Sequence, residues 1–226
     1  MSVPADGSGG SHVAGPFLTS ISDLAATVVP GVLAASVTLV AEPGPVTPGF
    51  AGQLAWELDQ QQYRLGGGPC LAAAVGGEDV DVVDARTDPR WRAYAAAAAA
   101  RGSLSSLSVS LTTVGGPQAA LNLYAGEVGA FTDPGARRVA ARVAETAAAG
   151  LGALRGAERA TARAEGLERA MDSRAVIEQA KGILMERRRV TAAAAFELLT
   201  TVSQHTNRKL RDVATQLVET GELPSS

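Results

Sequence analysis

Positive charge gathers in one stretch of this 226-residue chain. Between Arg174 and Arg211 eight basic residues stand against only Glu178, Glu186 and Glu197, a local excess that suits a polyanionic partner. Arg174, Lys181 and Arg188 recur at seven-residue steps. Seven residues are close to two helical turns, so one side of a helix would carry all three and could follow a phosphate backbone. Arg208, Lys209 and Arg211 lie at the start of a further helical stretch, where exposed backbone N–H groups also favour anions.

Other chemistries find less to work with. The single cysteine, Cys70, can form neither an intramolecular disulfide nor a cysteine-based zinc site. His12 and His205 are too far apart along the chain for a His-carboxylate catalytic or metal cluster. Gly66-Gly67-Gly68 lacks the Lys-Ser/Thr ending of a phosphate-binding loop, so a plain turn is the better reading. No catalytic residue, metal or cofactor is expected. The start, Met1 to Gly10, has neither a basic nor an apolar segment of a signal peptide, and no apolar run is long enough to span a membrane. The expected setting is cytoplasmic.

The net charge of −3 divides unevenly. Residues 158–226 hold 11 basic and 10 acidic residues, whereas residues 1–157 hold 9 and 13. Length and this asymmetry favour two units. In the front unit Phe17 to Val29 has a helical apolar period. Leu33 to Ala41 reads as a buried strand, followed by a Glu42-Pro43-Gly44-Pro45 turn, with Gly49 to Trp56 as its hairpin partner. Val80 to Val83, Leu104 to Val114 and Gln118 to Ala125 are further strands, the last two joined through Gly115-Gly116-Pro117. Asp88 and Pro89 have the types of an N-cap and first helical residue ahead of an alanine-rich run to Ala100. Strands interleaved with helices, with hairpins at both ends, predict an α+β unit with a mainly antiparallel sheet flanked by helices. Gly68-Pro69-Cys70-Leu71, Asp84, Asp88-Pro89-Arg90-Trp91, and Leu121-Asn122-Leu123-Tyr124 followed by Phe131 resemble the GAF domains that precede RNA-binding modules in actinobacterial regulators. That resemblance implies a sensor with a small-molecule ligand whose identity is open.

Asp133-Pro134 is another cap and first-residue pair. From there a long connecting helix is expected to about Met171, with a sparse stripe of Val139, Val143, Leu151, Leu154 and Leu167 through which a homodimer could form. Three short amphipathic helices follow. The first, Ser173 to Arg188, is capped by Asp172 or Ser173 and turns Val176, Ala180, Ile183 and Leu184 inward. The second starts after Thr191 and buries Ala195, Phe196, Leu199 and Val202. The third starts after Asn207 and buries Leu210, Val213, Ala214, Leu217 and Val218. None is long enough to stand alone, so a three-helix bundle is predicted. The expected divisions are a disordered tail 1–16, a sensor domain 17–132, a connecting helix 133–171 and a terminal module 172–226.

Arg174 to Arg187, with Ala180-Lys181-Gly182-Ile183-Leu184-Met185 at its centre, then Ala195-Phe196 and Leu199, then Asn207 to Ala214, closely resemble the ANTAR module of bacterial transcription regulators. The resemblance implies an RNA-binding antiterminator whose paired modules hold RNA hairpin loops and keep a terminator from forming. Gly182 costs about 1 kcal/mol relative to alanine in mid-helix, and close approach of RNA or another helix is one reason to keep it. With Phe196 placed in the core, bases would be read by polar side chains and arginine planes. The candidates for the RNA surface are Arg174, Gln179, Lys181, Gly182, Arg188, Ser203, Gln204, Asn207, Arg208, Lys209 and Arg211, with His205 divided between cap and contact. For Arg187-Arg188-Arg189 a solvated helix end competes with direct contact. An HTH-like DNA-binding regulator is the alternative, since a basic third helix also suits a major groove. A cysteine-based sulfoxide-reducing enzyme ranks last, because Cys70 has no resolving partner in the chain.

Overall fold

The computed structural model describes residues 9–111 and 118–224. The chain forms two compact units, Met1–Glu158 and Arg159–Ser226. The front unit contains α1 (Gly9–Val28), β1 (Val32–Ala41), β2 (Gly44–Ala51), α2 (Gln53–Leu65), α3 (Pro69–Gly76), β3 (Val80–Val82), α4 (Arg92–Ala100), β4 (Ser105–Ser110) and β5 (Gln118–Ala125). The first part of α5 (Pro134–Arg188) completes it. The sheet runs β2-β1-β5-β4-β3, antiparallel at every pairing. This is the α+β arrangement that the alternation of strands and helices predicts.

Successive strand side chains point to opposite faces, and both faces of this sheet are covered. Ala35, Val37 and Leu39 of β1, Leu107 and Val109 of β4, and Leu121 and Leu123 of β5 form an apolar face. Leu18, Ile21 and Ala25 of α1 pack there, with Ala140, Val143, Ala147 and Leu151 of α5. The intervening residues, among them Ser36, Thr38, Ser106, Ser108 and Asn122, are polar and nevertheless buried. α2, α3 and α4 cover that second face through Ala34, Leu58, Tyr94 and Tyr124 in one cluster and Ala73, Ala74 and Ala120 in another. Close approach requires glycine at two points. A Cβ on Gly49 of β2 would meet the backbone of Leu18 and Thr19, and one on Gly150 of α5 would overlap the Phe17 ring.

Several boundaries differ from expectation. α1 begins at Gly9 and not at Phe17, so part of the expected tail is helical. The hairpin partner of β1 is Gly44–Ala51, earlier than expected, despite Pro45 and Pro48. As the edge strand β2 tolerates residues that lack an N–H, and Gly52, at φ 84°, ends it. α4 starts at Arg92 instead of Pro89, because the Asp88 carboxylate accepts from the Arg90 backbone N–H at 2.9 Å and forms a local turn. The Gly115-Gly116-Pro117 turn lies outside the described residues.

α5 is a single helix through Asp172 and Ser173, where a cap and a new helix were expected. The Ser173 hydroxyl donates to the Arg169 carbonyl at 2.7 Å, four residues back, and so is satisfied inside the helix. The cap expected at Asp133 does form: its carboxylate accepts from the Ala136 N–H at 2.8 Å.

Candidate nucleic-acid interface

In the second unit the end of α5 packs with α6 (Ala192–His205) and α7 (Leu210–Thr220). Ala180 and Leu184 of α5, Ala195 and Leu199 of α6, and Val213, Ala214 and Leu217 of α7 are the buried centre. Val176, Ile183, Val202, Leu210 and Val218 surround it, so the predicted apolar faces meet as a three-helix bundle. α5 ends at Arg189, whose φ of 54° is left-handed. The Thr191 hydroxyl then accepts from the Ala194 N–H at 3.3 Å and caps α6, as its position predicted.

Burying Ala180 and Leu184 leaves Arg174, Lys181 and Arg188 on one side of α5, because seven residues turn a helix through roughly 700°, close to two full turns. Glu178 shares that side. The Lys181 ammonium donates to both Glu178 carboxylate oxygens at 2.9 Å, and the lysine side chain is only 16% exposed against 57% for the glutamate. Gln179 is two residues from Lys181, about 200° around the helix, and does not join this side. A Cβ on Gly182 would have no atom within 4 Å, so nothing in the chain itself requires glycine there. The three terminal arginines separate by role. All three are exposed, and Arg187 also donates to the Gly221 carbonyl just past α7.

The turn between α6 and α7 uses two residues whose types suggested base reading. Asn207 takes φ 50° and reverses the chain, a conformation that asparagine tolerates better than most residues. The Ser203 hydroxyl donates to the Arg208 carbonyl at 2.6 Å, and the Ser203 carbonyl accepts from the Arg208 N–H at 3.1 Å. Lys209, and not Asn207, is the N-cap of α7, with no side-chain cap bond. The Asp212 and Val213 N–H groups reach back to the Lys209 carbonyl at 2.9 and 3.2 Å, and Lys209 and Arg211 beside them are exposed. Arg208 donates to Gln216 Oε1 at 2.6 Å. Arg208, Arg211, Asp212, Thr215, Gln216 and Glu219 line a groove of about 430 Å³ along α7. Gln204 is exposed at the end of α6, and His205 Nδ1 lies 3.0 Å from the Thr201 carbonyl within its own helix.

Phe196 corrects the sequence reading. It was expected in the core, yet its side is 44% exposed, because Ala195 and Leu199 point inward and Phe196 is one residue out of phase with them. The unit thus presents an aromatic surface. The partners that Glu178 and Gln216 take, Lys181 and Arg208, were not expected from the sequence. Among the described residues no group of three or more His, Cys, Asp or Glu is placed to hold a metal ion.

The family model of the ANTAR domain matches residues 165–218. The PixJ GAF-domain of Thermosynechococcus elongatus, in its blue-light absorbing form, aligns with a TM-score of 0.52 at 9% identity, covering 71% of this chain and 96% of that one. A type II free methionine-R-sulfoxide reductase from Thermoplasma acidophilum aligns with a TM-score of 0.51 at 16% identity, covering 62% of this chain and 92% of its own. At such identities the likeness is one of fold. Comparison with curated proteins gives no match.

Proposed function

Because the chain carries an ANTAR domain in its C-terminal part and a unit of GAF fold in front, we propose that it is an RNA-binding transcription antiterminator under the control of a sensor unit. The observation that carries this reading is the domain match at 165–218, which coincides with the cationic helix side of Arg174, Lys181 and Arg188. Phosphates bind along that side and at the start of α7, where Arg208, Lys209 and Arg211 add their charge to the positive end of the helix dipole. Loop bases stack on arginine planes and on Phe196, and Gln204 and Gln216 supply polar contacts. Holding a hairpin loop in this way keeps the competing terminator from forming.

The role is regulatory, and its setting is the cytoplasm, where nascent RNA is made. Among the described residues no helix is long and apolar enough to cross a membrane. A homodimer through α5 pairs two RNA-binding units; Leu167 and Met171, 59% and 72% exposed, support such a seam because long exposed helices gain most of their stability from packing.

Single-round transcription across a leader with two hairpins and a terminator tests the reading. The wild-type chain is expected to raise the fraction of full-length transcript, and Lys181→Ala to lose that effect. Equal readthrough with and without the protein, on an RNA that it binds, would refute antitermination.

A further inference from the structure

The front unit holds an apolar pocket of its own. Leu65 at the end of α2, Gly67 just after it, and Trp91, Arg92, Ala93 and Tyr94 at the start of α4 line a cavity of about 220 Å³. At roughly 30 Å³ for each water molecule it has room for about seven, which suits a small organic acid or amine and is too little for a nucleotide. Its walls are fixed by packing. The Arg90 guanidinium lies over the Trp91 ring at 4.8 Å from the centroid and is itself held by the Asp88 carboxylate. Trp91 packs against two buried clusters, with Leu58 and Tyr94 in one and Val82 and Ala95 in the other. Tyr94 also packs with Tyr124, whose hydroxyl donates to the buried Asp59 carboxylate at 2.5 Å. Burial holds that carboxyl at about 6, above its ordinary range, but Asp59 is no part of the pocket lining.

Charge decides between acid and amine. Along α2, α4 and their flanking turns, Arg64 donates to Gln61, Arg86 pairs with Asp84, Arg90 with Asp88 and Arg101 with Glu57. Arg92 differs: among the described residues its side chain has neither an ion pair nor a hydrogen bond. It is also the one charged group in the pocket lining. The start of α4 adds to it. No side chain caps this helix, and the N–H groups of Arg92, Ala93 and Tyr94 have no backbone partner among the described residues, as is usual for the first residues of a helix. Arg92 borders a second cavity too, but that one has no aromatic wall, and its other charged groups, Arg86 and Asp88, are already paired.

We propose that this pocket binds a small monocarboxylate with a ring-sized apolar body, its carboxylate on Arg92 and the first N–H groups of α4 and its ring against Leu65 and Trp91. One unpaired guanidinium matches one carboxylate, with two acceptor oxygens for its N–H groups, and the apolar walls match the ring. An amine would set a second positive charge beside Arg92. Because Trp91 and Tyr94 are held in place without a ligand, little ordering opposes binding. The proposal gives a ligand class to the sensor half of the function above and rests on that reading only for its regulatory meaning.

The test uses the full chain and sodium phenylacetate, with two controls at the same ionic strength: sodium acetate, the carboxylate without the ring, and phenethylammonium chloride, the ring with the opposite charge. Phenylacetate is expected to raise the melting temperature saturably and to give a calorimetric binding isotherm, while neither control does. Arg92→Ala, which removes no described contact, weakens phenylacetate binding by roughly tenfold or more. A Cβ on Gly67 would meet no atom within 4 Å, so Gly67→Leu adds a side chain at the pocket without a clash and competes with the ring; if that variant does not fold, Arg92→Ala carries the comparison. An equal response to acetate or to phenethylammonium, phenylacetate binding unchanged by Arg92→Ala, or no response from a folded wild-type chain overturns the site. RNA affinity, measured without any of the three compounds, reports on the antiterminator reading separately.

Discussion

At the scale of the residue, similar side chains serve opposite ends. Lys181 and Arg187 are both cations near the end of α5, but one pairs with an exposed glutamate on its own helix and the other ties down the end of α7. An ion pair three residues apart on one helix, with the glutamate exposed, contributes only about 0.2–0.5 kcal/mol. Lys181→Ala should therefore leave the melting temperature nearly unchanged and weaken RNA binding, whereas Arg187→Ala should lower the melting temperature with the smaller effect on RNA. Thermal unfolding and filter binding on the two variants check this; the reverse pattern would exchange their roles. Asp59 gives a pH signature. Because its folded value is raised to about 6, its favourable contribution is complete below the unfolded value near 4 and is lost as pH rises through about 6, a change of a few kcal/mol at most. The wild-type melting temperature minus that of Asp59→Asn should fall between about pH 4 and pH 7, and a flat difference would show that Asp59 is not held above its ordinary range. Chemical type could not assign these roles in advance. Ser203 and Asn207 suit base recognition and turn formation equally well, and the chain uses both in the turn.

At the scale of the element, periodicity made most of the fold legible. The apolar run of β1, the turn signals between strands and the three- and four-residue steps of α6 and α7 led to the antiparallel sheet and the bundle. Local competition hid the rest. Asp88 could cap a helix or close a turn, Ser173 could start a helix or continue one, and Phe196 adjoined an apolar stripe without belonging to it. The buried Ser, Thr and Asn of the second sheet face were illegible because their alternation is the pattern of a solvated face; only the covering helices α2 to α4 make it interior. Glycines in α5 show how context decides. Alanine at Gly182 enters open space and should stabilise by up to about 1 kcal/mol through helix propensity. Alanine at Gly150 meets the Phe17 ring and should destabilise by about 1–3 kcal/mol despite the same propensity gain. Urea unfolding of both variants tests the pair of signs. If Gly182→Ala also weakens RNA binding while raising stability, the glycine serves the RNA; unchanged affinity would place it outside the interface.

At the scale of the whole molecule, a front unit with net negative charge is joined by one continuous helix to a unit with a cationic side. On the proposed reading, that division keeps nonspecific attraction away from the front unit and concentrates it on the helices assigned to RNA binding. If Arg174, Lys181, Arg188, Arg208, Lys209 and Arg211 all neutralise phosphates, the logarithm of the binding constant should fall with the logarithm of salt concentration with a slope of about −4. Each lost cation should remove about 0.7 from that slope. The central claim is tested most directly by the affinity of the wild-type chain, Lys181→Ala and Arg208→Ala/Lys209→Ala for a two-hairpin RNA and for duplex DNA at one fixed salt concentration. Preference for the RNA, lost in both variants, is the expected result. Preference for the duplex, or RNA binding indifferent to the substitutions, would contradict it.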